Sequence, residues 1–313
     1  MAAASVIVPA RNAEATLART LQALARQEMV EPYEVLVVDD GSTDATLDIA
    51  RGAPGPVRTL RQHAEGPAAA RNLGVAHSEG TRLAFCDADV FPTPGWLRAG
   101  LEALESADLV QGHVQPDPCA VLGPFDRTLW ILFEVGLYET ASLFTTRETF
   151  DRAGGFEEWL RPEIGKAMAE DVWFGWKARR AGARTAFCAQ ALAHHAVFAR
   201  DWRSYVAERR RLRYFPAMAA KVPELREHFF YRRLFLNRRT AALDAALAAA
   251  LAALALGSPL PLAATAPYAR AVIRHAGRSE APRGPVAAAD VAADLVGLAA
   301  MARGSVRYRS PLL

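Results

Sequence analysis

A chain of 313 residues, 51% hydrophobic and 23% charged, has an ordinary globular balance and the length for one large domain or a domain with an appendage. Its formal charge of +3 is too small to indicate nucleic acid by itself. Three widely spaced cysteines, Cys86, Cys119 and Cys188, without a C-x-x-C pair, exclude a disulfide framework and a zinc site and read as buried thiols in a reducing cytoplasm.

The N-terminus enters an apolar run with no basic segment ahead of it, so no secretory signal is expected. Predicted strands at 4–10, 33–40, 56–62 and 81–87 alternate with predicted helices at 13–27, 42–51 and 67–78. Continuous apolar strands separated by helices indicate a parallel sheet buried on both faces, which binds ligands outside the carboxyl ends of its strands. Pro9-Ala10-Arg11-Asn12 follow the first strand, Asp39-Asp40-Gly41-Ser42-Thr43-Asp44 the second, and Asp87-Ala88-Asp89 the fourth. Ser42 suits the cap of the second helix. Capping does not account for Asp39, Asp40, Asp87 and Asp89 together. Four carboxylates on one rim ask for a divalent cation or a hydrogen-bond-donating ligand.

The middle of the chain is less regular. Strands are expected at 107–114 and 142–147, a helix over the aromatic-rich 125–139, and a glycine-started loop at 154–160. A helix over 169–182 ends at Gly182, and short strands over 185–198 end near His194 and His195. Between Arg200 and Arg239 ten further Arg and Lys residues face only Asp201, Glu208, Glu224 and Glu227, a field suited to phosphates or an anionic lipid surface. Beyond it, 241–256 is almost pure Ala and Leu, Gly257-Ser258-Pro259 breaks it, and 260–273 is again apolar. Each stretch is shorter than the roughly 20 residues of a spanning helix. Three readings stand: a buried helical pair, an interfacial or re-entrant hairpin over 241–273, and a true span. Arg238 and Arg239 before it and Arg270 and Arg274 after it suit a hairpin with both ends on the cytoplasmic side. A last helix over 285–304 sets Asp290 and Asp294 one turn apart on a polar face.

SVIVPARN, VLVVDDGSTD, GPAAARNLG and AFCDADV, then GGFEE and AEDVWFGWKARRAG, in this order and spacing resemble the inverting family-2 glycosyltransferases. The resemblance covers about residues 4–215. It implies an α/β GT-A fold, a Rossmann-like, mostly parallel central sheet flanked by helices, with a C-terminal helical extension. On it, 1–220 is the catalytic domain, 1–106 its nucleotide-sugar half and 107–220 its acceptor half, and 221–313 is the extension. The implied reaction moves a sugar from a nucleotide sugar, by family habit a UDP-sugar with GDP- and dTDP-sugars as alternatives, to an acceptor hydroxyl in a single displacement. Glycan, glycolipid or surface-polysaccharide synthesis is the implied setting, at the cytoplasmic face of a membrane.

The resemblance carries residue roles with it. Asp89 matches the ligand of a divalent cation, Mn2+ or Mg2+, that stabilises charge on the leaving diphosphate. Asp87 matches a contact to the ribose or the metal's water shell. Asp40 matches the acceptor of a hydrogen bond from the base, Pro9 and Arg11 flank the nucleotide, and Arg71 matches a basic residue near base or phosphate, unless it is a helix-surface arginine. Asp171 is the candidate general base, with Glu170 as the alternative or as the group orienting the acceptor. Both also suit a helix's first turn. His195 falls where some relatives hold a histidine near the metal or diphosphate, and equally suits a structural histidine. Residues 210–214, RRLRY, resemble the Q-x-x-R-W element of processive relatives with Arg210 for Gln and Tyr214 for Trp. Both departures argue against processivity, while Arg213 keeps a match to a diphosphate contact. A nucleotidyltransferase would want a glycine-rich loop after the first strand, and PARNAEA lacks the glycines. A non-catalytic glycan-binding descendant would have shed acidic residues that are all present here. A soluble natural-product acceptor is the alternative to a lipid-linked one.

Overall fold

The computed structural model describes residues 2–163, 167–278 and 280–313. It divides into two compact units, 1–120 with 128–197, and 121–127 with 198–313. The stretch 198–220, grouped with the catalytic half in the sequence reading, packs in the second unit.

The first unit holds one mixed eight-stranded sheet. Its strands are β1 (Ala4–Ala10), β2 (Tyr33–Asp40), β3 (Val57–Gln62), β4 (Arg82–Phe85), β5 (Val90–Pro92), β6 (Leu109–Pro116), β7 (Leu143–Thr146) and β8 (Thr185–His195), in the order β3-β2-β1-β4-β7-β6-β8-β5. β3, β2, β1 and β4 run parallel, β7 is antiparallel to β4 and β6, β8 is parallel to β6, and β5 is antiparallel to β8. The parallel half follows from its sequence: Val6, Ile7, Val8 and Val35, Leu36, Val37, Val38 are fully buried, as strands covered on both faces must be. The helices are α1 (Leu17–Ala25), α2 (Thr46–Arg51), α3 (Pro67–Ala76), α4 (Trp96–Ala103), α5 (Arg147–Arg152) and α6 (Glu170–Arg180). α1 buries Leu17, Thr20, Leu21 and Leu24, a single stripe at helical spacing. α6 carries Glu170 and Asp171 in its first turn and Lys177, Arg179 and Arg180 in its last, complementing the helix dipole at both ends.

Several expectations are corrected. Residues 125–139 are not helical: they run as irregular backbone in which Ile131 is buried and bridged to Val114, while Trp130, Leu132 and Phe133 around it are exposed. Residues 185–195 form one strand, with a register shift opposite Gly112 and His113. Ser42 does not cap α2, which starts at Thr46. Its hydroxyl accepts the Asn12 N–H, and Asn12 Oδ1 accepts the Thr43 N–H, so the loops after β1 and β2 are stitched together instead. Cys86 and Cys188 are buried, but Cys119 is exposed.

The second unit contains α7 (Trp202–Glu208), α8 (Phe215–Lys221), α9 (Leu225–His228), α10 (Arg238–Leu256), α11 (Ala266–Ala276) and α12 (Arg283–Tyr308). The polar face expected on the last helix is not solvated. Asp290 has no exposed surface and accepts from Tyr205 at 3.0 Å and bonds His275 Nδ1 at 2.7 Å, with Arg239 3.3 Å away. Asp294 binds Arg239 at 2.6 Å and Tyr268 at 2.9 Å. Four helices, α7, α10, α11 and α12, are thus cross-linked by one buried charge network, with each acidic group paired as burial demands.

Candidate active site

The carboxyl ends of β1, β2 and β4 carry the predicted rim. Arg11 is half exposed, 3.6 Å from Asp40. Asp40 is buried and accepts the backbone N–H of Glu65 at 2.8 Å, that of Gly66 at 3.1 Å and the Gln62 amide at 2.7 Å. Gly66 adopts φ +98°, and a side chain there would meet Glu158 Oε1 at 2.1 Å, so only glycine lets this turn close on Asp40. Asp39 is fully buried against Arg61 at 3.2 Å and the Ser42 N–H. The expected convergence of four carboxylates therefore splits. Asp39 and Asp40 are held by protein donors, and among the described residues no group of three or more His, Cys, Asp or Glu is gathered for a metal.

Asp87 and Asp89 behave differently, each about one-third exposed. β5 follows them directly and pairs with the end of β8, Val90 opposite His195. This pairing sets His195 Nε2 3.6 Å from Asp89 Oδ2, although the two lie over a hundred residues apart in sequence. His195 Nδ1 is 2.6 Å from the Ala196 carbonyl and donates to it, which turns Nε2 toward Asp89. Asp89 and His195 present an oxygen and a nitrogen donor of the kind a small divalent ion takes, while Asp87 is engaged by Arg71.

Arg71, in the second turn of α3, is buried, which removes the surface reading. Its Nη2 donates to Asp87 at 2.9 Å and its Nη1 to Glu170 at 3.1 Å, while Nε is buried without a partner. The guanidinium joins the donor-side aspartate to the first residue of α6. Beside Glu170, Asp171 caps its own Val172 N–H at 2.8 Å. Burial pushes its carboxyl well above the usual range, and the negative neighbours Glu170 and Glu139 push it further, against Val172 and Arg71. A carboxyl raised in this way is a stronger base than a free aspartate. Gly175, one turn on, passes so close to Tyr138 that a Cβ would stand 2.0 Å from the ring, which fixes this helix against the 130s segment. Arg213 lies in the second unit, its guanidinium 4.8 Å over the Tyr214 ring.

Residues 5–156 match the family described as glycosyl transferase family 2. The chain carries a family-2 glycosyltransferase domain. The pre-mycofactocin glycosyltransferase of Mycobacterium tuberculosis is 31% identical over 221 residues, 63% of this chain and 44% of that protein. The chain spans about two fifths of the length of the curated relatives it matches first. Among solved structures, the mannosyltransferase PcManGT from Pyrobaculum calidifontis, in complex with GDP-Man and Mn2+, superposes with a TM-score of 0.57 at 20% identity, over 98% of this chain and 87% of that one. S. aureus TarS 1–349 in complex with UDP-GlcNAc gives 0.52 at 20% identity, over 98% and 92%. The fold is accordingly the GT-A glycosyltransferase fold, a mixed α/β sheet with C-terminal helices.

One ionisable group of the glycosyltransferase domain escaped the sequence reading. Glu139, in the irregular 130s segment, is pushed up to about 7 by burial and bears electrostatically on Asp171. A lone glutamate in a stretch read as helix offers no motif. β5, three residues long, was equally invisible, and it is the strand that brings His195 to Asp89.

Proposed function

We propose that this chain is a non-processive, inverting glycosyltransferase. It moves a sugar from a nucleotide sugar, UDP-linked in the first instance, onto an acceptor hydroxyl in glycan or glycolipid synthesis. The observation that carries the reading is the buried Arg71 bridge, which ties Asp87 of the donor side to the Glu170-Asp171 pair. On this reading residues 1–220 are catalytic and 221–313 their helical extension, working at the cytoplasmic face of a membrane on a lipid-linked acceptor.

Asp40, Pro9 and Arg11 take the nucleotide, Asp40 as acceptor for the base. Asp87, Asp89 and His195 hold Mn2+ or Mg2+, which when bound offsets the negative charge of the leaving diphosphate. Arg71 holds Asp87 and Glu170 in register and keeps their charges balanced. Glu170 orients the acceptor. Asp171 takes the proton of the attacking hydroxyl, and its raised pKa matches that task. Arg213 is assigned to the diphosphate by family resemblance. The two structural neighbours, one in complex with GDP-Man and Mn2+ and one with UDP-GlcNAc, support a nucleotide-sugar donor and leave the base to experiment.

The test is calorimetric titration of UDP, GDP and dTDP into the purified protein with and without Mn2+. Binding of one nucleotide that strengthens with metal and weakens in Asp89→Asn is expected. Absence of binding by all three in folded protein overturns the assignment.

A further inference from the structure

The C-terminal unit contains a surface that the transfer reaction does not use. α10 is buried only at Leu243, Ala246 and Ala249, and its last seven residues contain no buried position. From residue 250 through 265 no residue is buried. Leu251, Leu254, Leu256 and Leu260 are 69 to 82% exposed, and Leu262 is exposed as well. Gly257, at φ +59°, ends the helix, and the turn Leu260–Thr265 folds back along it before α11. The sequence from 245 to 269 has no charged residue. Behind this bare tip the charge is of one sign. Arg270, Arg274 and Arg278 are exposed, and no acidic residue occurs between Asp244 and Glu280.

We propose that the hairpin tip 250–265 inserts into the interfacial layer of an anionic membrane, with Arg270 and Arg274 seated on the lipid headgroups. This rests on the transferase reading only for its biological sense, since the surface itself is independent of the active site. The length of the tip fits. Seven residues of helix beyond Ala249 reach about 10 Å, the depth of an interfacial element and far short of the ~30 Å of a bilayer core. A span is further opposed by the Asp290–Arg239–Asp294 network, which locks the base of α10 to α12. The chemistry also favours lipid over a protein partner. Protein interfaces are anchored by Trp, Tyr and Arg in shaped pockets with directional hydrogen bonds. This tip offers Ala and Leu on a convex turn, and Ser258 and Thr265 as its only polar side chains apart from Tyr268, which is bonded to Asp294. A non-directional apolar solvent with negative headgroups at its edge is what such a surface matches.

Co-sedimentation of the full chain with vesicles of phosphatidylcholine alone, and of phosphatidylcholine with phosphatidylglycerol, tests the proposal. The protein is expected to pellet with the anionic vesicles and only weakly with the neutral ones. Leu254→Asp with Leu260→Asp alters two residues exposed in the folded chain, and is expected to weaken vesicle binding at least ~tenfold with the melting temperature unchanged. Arg270→Glu with Arg274→Glu is expected to abolish the preference for anionic vesicles. Nucleotide binding, measured on the same samples, is expected to stay unchanged in both variants. A wild-type chain that ignores both vesicles overturns the proposal, as does a leucine variant that binds as well as wild type. A wild-type dimer in solution that the leucine variant dissolves also overturns it, because a second copy then covers the tip. Loss of nucleotide binding alone would strike the transferase reading and leave this one standing.

Discussion

Arg71 shares one buried positive charge between two carboxylates, Asp87 and Glu170, which the proposed mechanism assigns to different partners. Arg71→Ala leaves Glu170 buried without its cation, and the expected loss is about 3 kcal/mol in urea denaturation. Arg71→Lys keeps the charge but cannot fork to both partners, so it should restore much of the stability and little of the turnover. That split separates a positioning role from a structural one. Asp171→Asn is expected to lower kcat by ~10²–10⁴-fold while nucleotide affinity holds. Glu139 supplies a pH test. Its carboxyl titrates near 7 in the fold, against a usual value near ~4.3. A folded-state pKa that is raised costs stability as pH climbs through the interval, because the folded protein must then ionise a buried acid. Glu139→Gln should therefore leave the melting temperature unchanged at pH 4 and raise it increasingly toward pH 7 and above. It should also move the acid limb of the pH–rate profile to lower pH, since one negative neighbour of Asp171 is gone.

Among the elements, α6 and the β5–β8 pair show what the sequence discloses and what it withholds. α6 was readable from its own residues: acidic first turn, basic last turn, Gly182 as terminator. The parallel strands were readable because a strand buried on both faces is apolar at every position. The 125–139 segment departs from the helix its aromatic content suggests, because Ile131 and Tyr138 turn inward while Trp130, Leu132 and Phe133 stay exposed. The loops after β1 and β2 were misassigned by four residues for a different cause. The Ser42 and Thr46 hydroxyls and Asp44 Oδ2 accept backbone N–H groups of Asn12, Ala13 and Glu14 in the neighbouring loop, while Asp44 Oδ1 accepts the Thr46 N–H, and such long-range partners leave no local trace. The candidate site residues are named from their motifs. Their partners are not, because Arg71–Glu170 and Asp89–His195 are contacts of the tertiary fold. In the helical unit, Asp290→Ala removes the partner of His275 and of the Tyr205 hydroxyl while Arg239 keeps Asp294, and a loss of about 3 kcal/mol is expected, with hydrogen exchange rising along α12.

At the scale of the whole molecule, the chain divides into a sheet unit that holds the Asp87-Asp89 and Glu170-Asp171 pairs and a helical unit held by its own ionic network. The family match ends at residue 156, before α6, β8 and the entire helical unit. The strand pairing of Val90 with His195 also orders events in time. During synthesis β1, β2 and β4 emerge before β8, and Asp89 meets His195 only when the end of β8 has left the ribosome. On the proposed roles, a nascent chain halted after residue 156 would carry the residues assigned to the base and lack the histidine assigned to the cation.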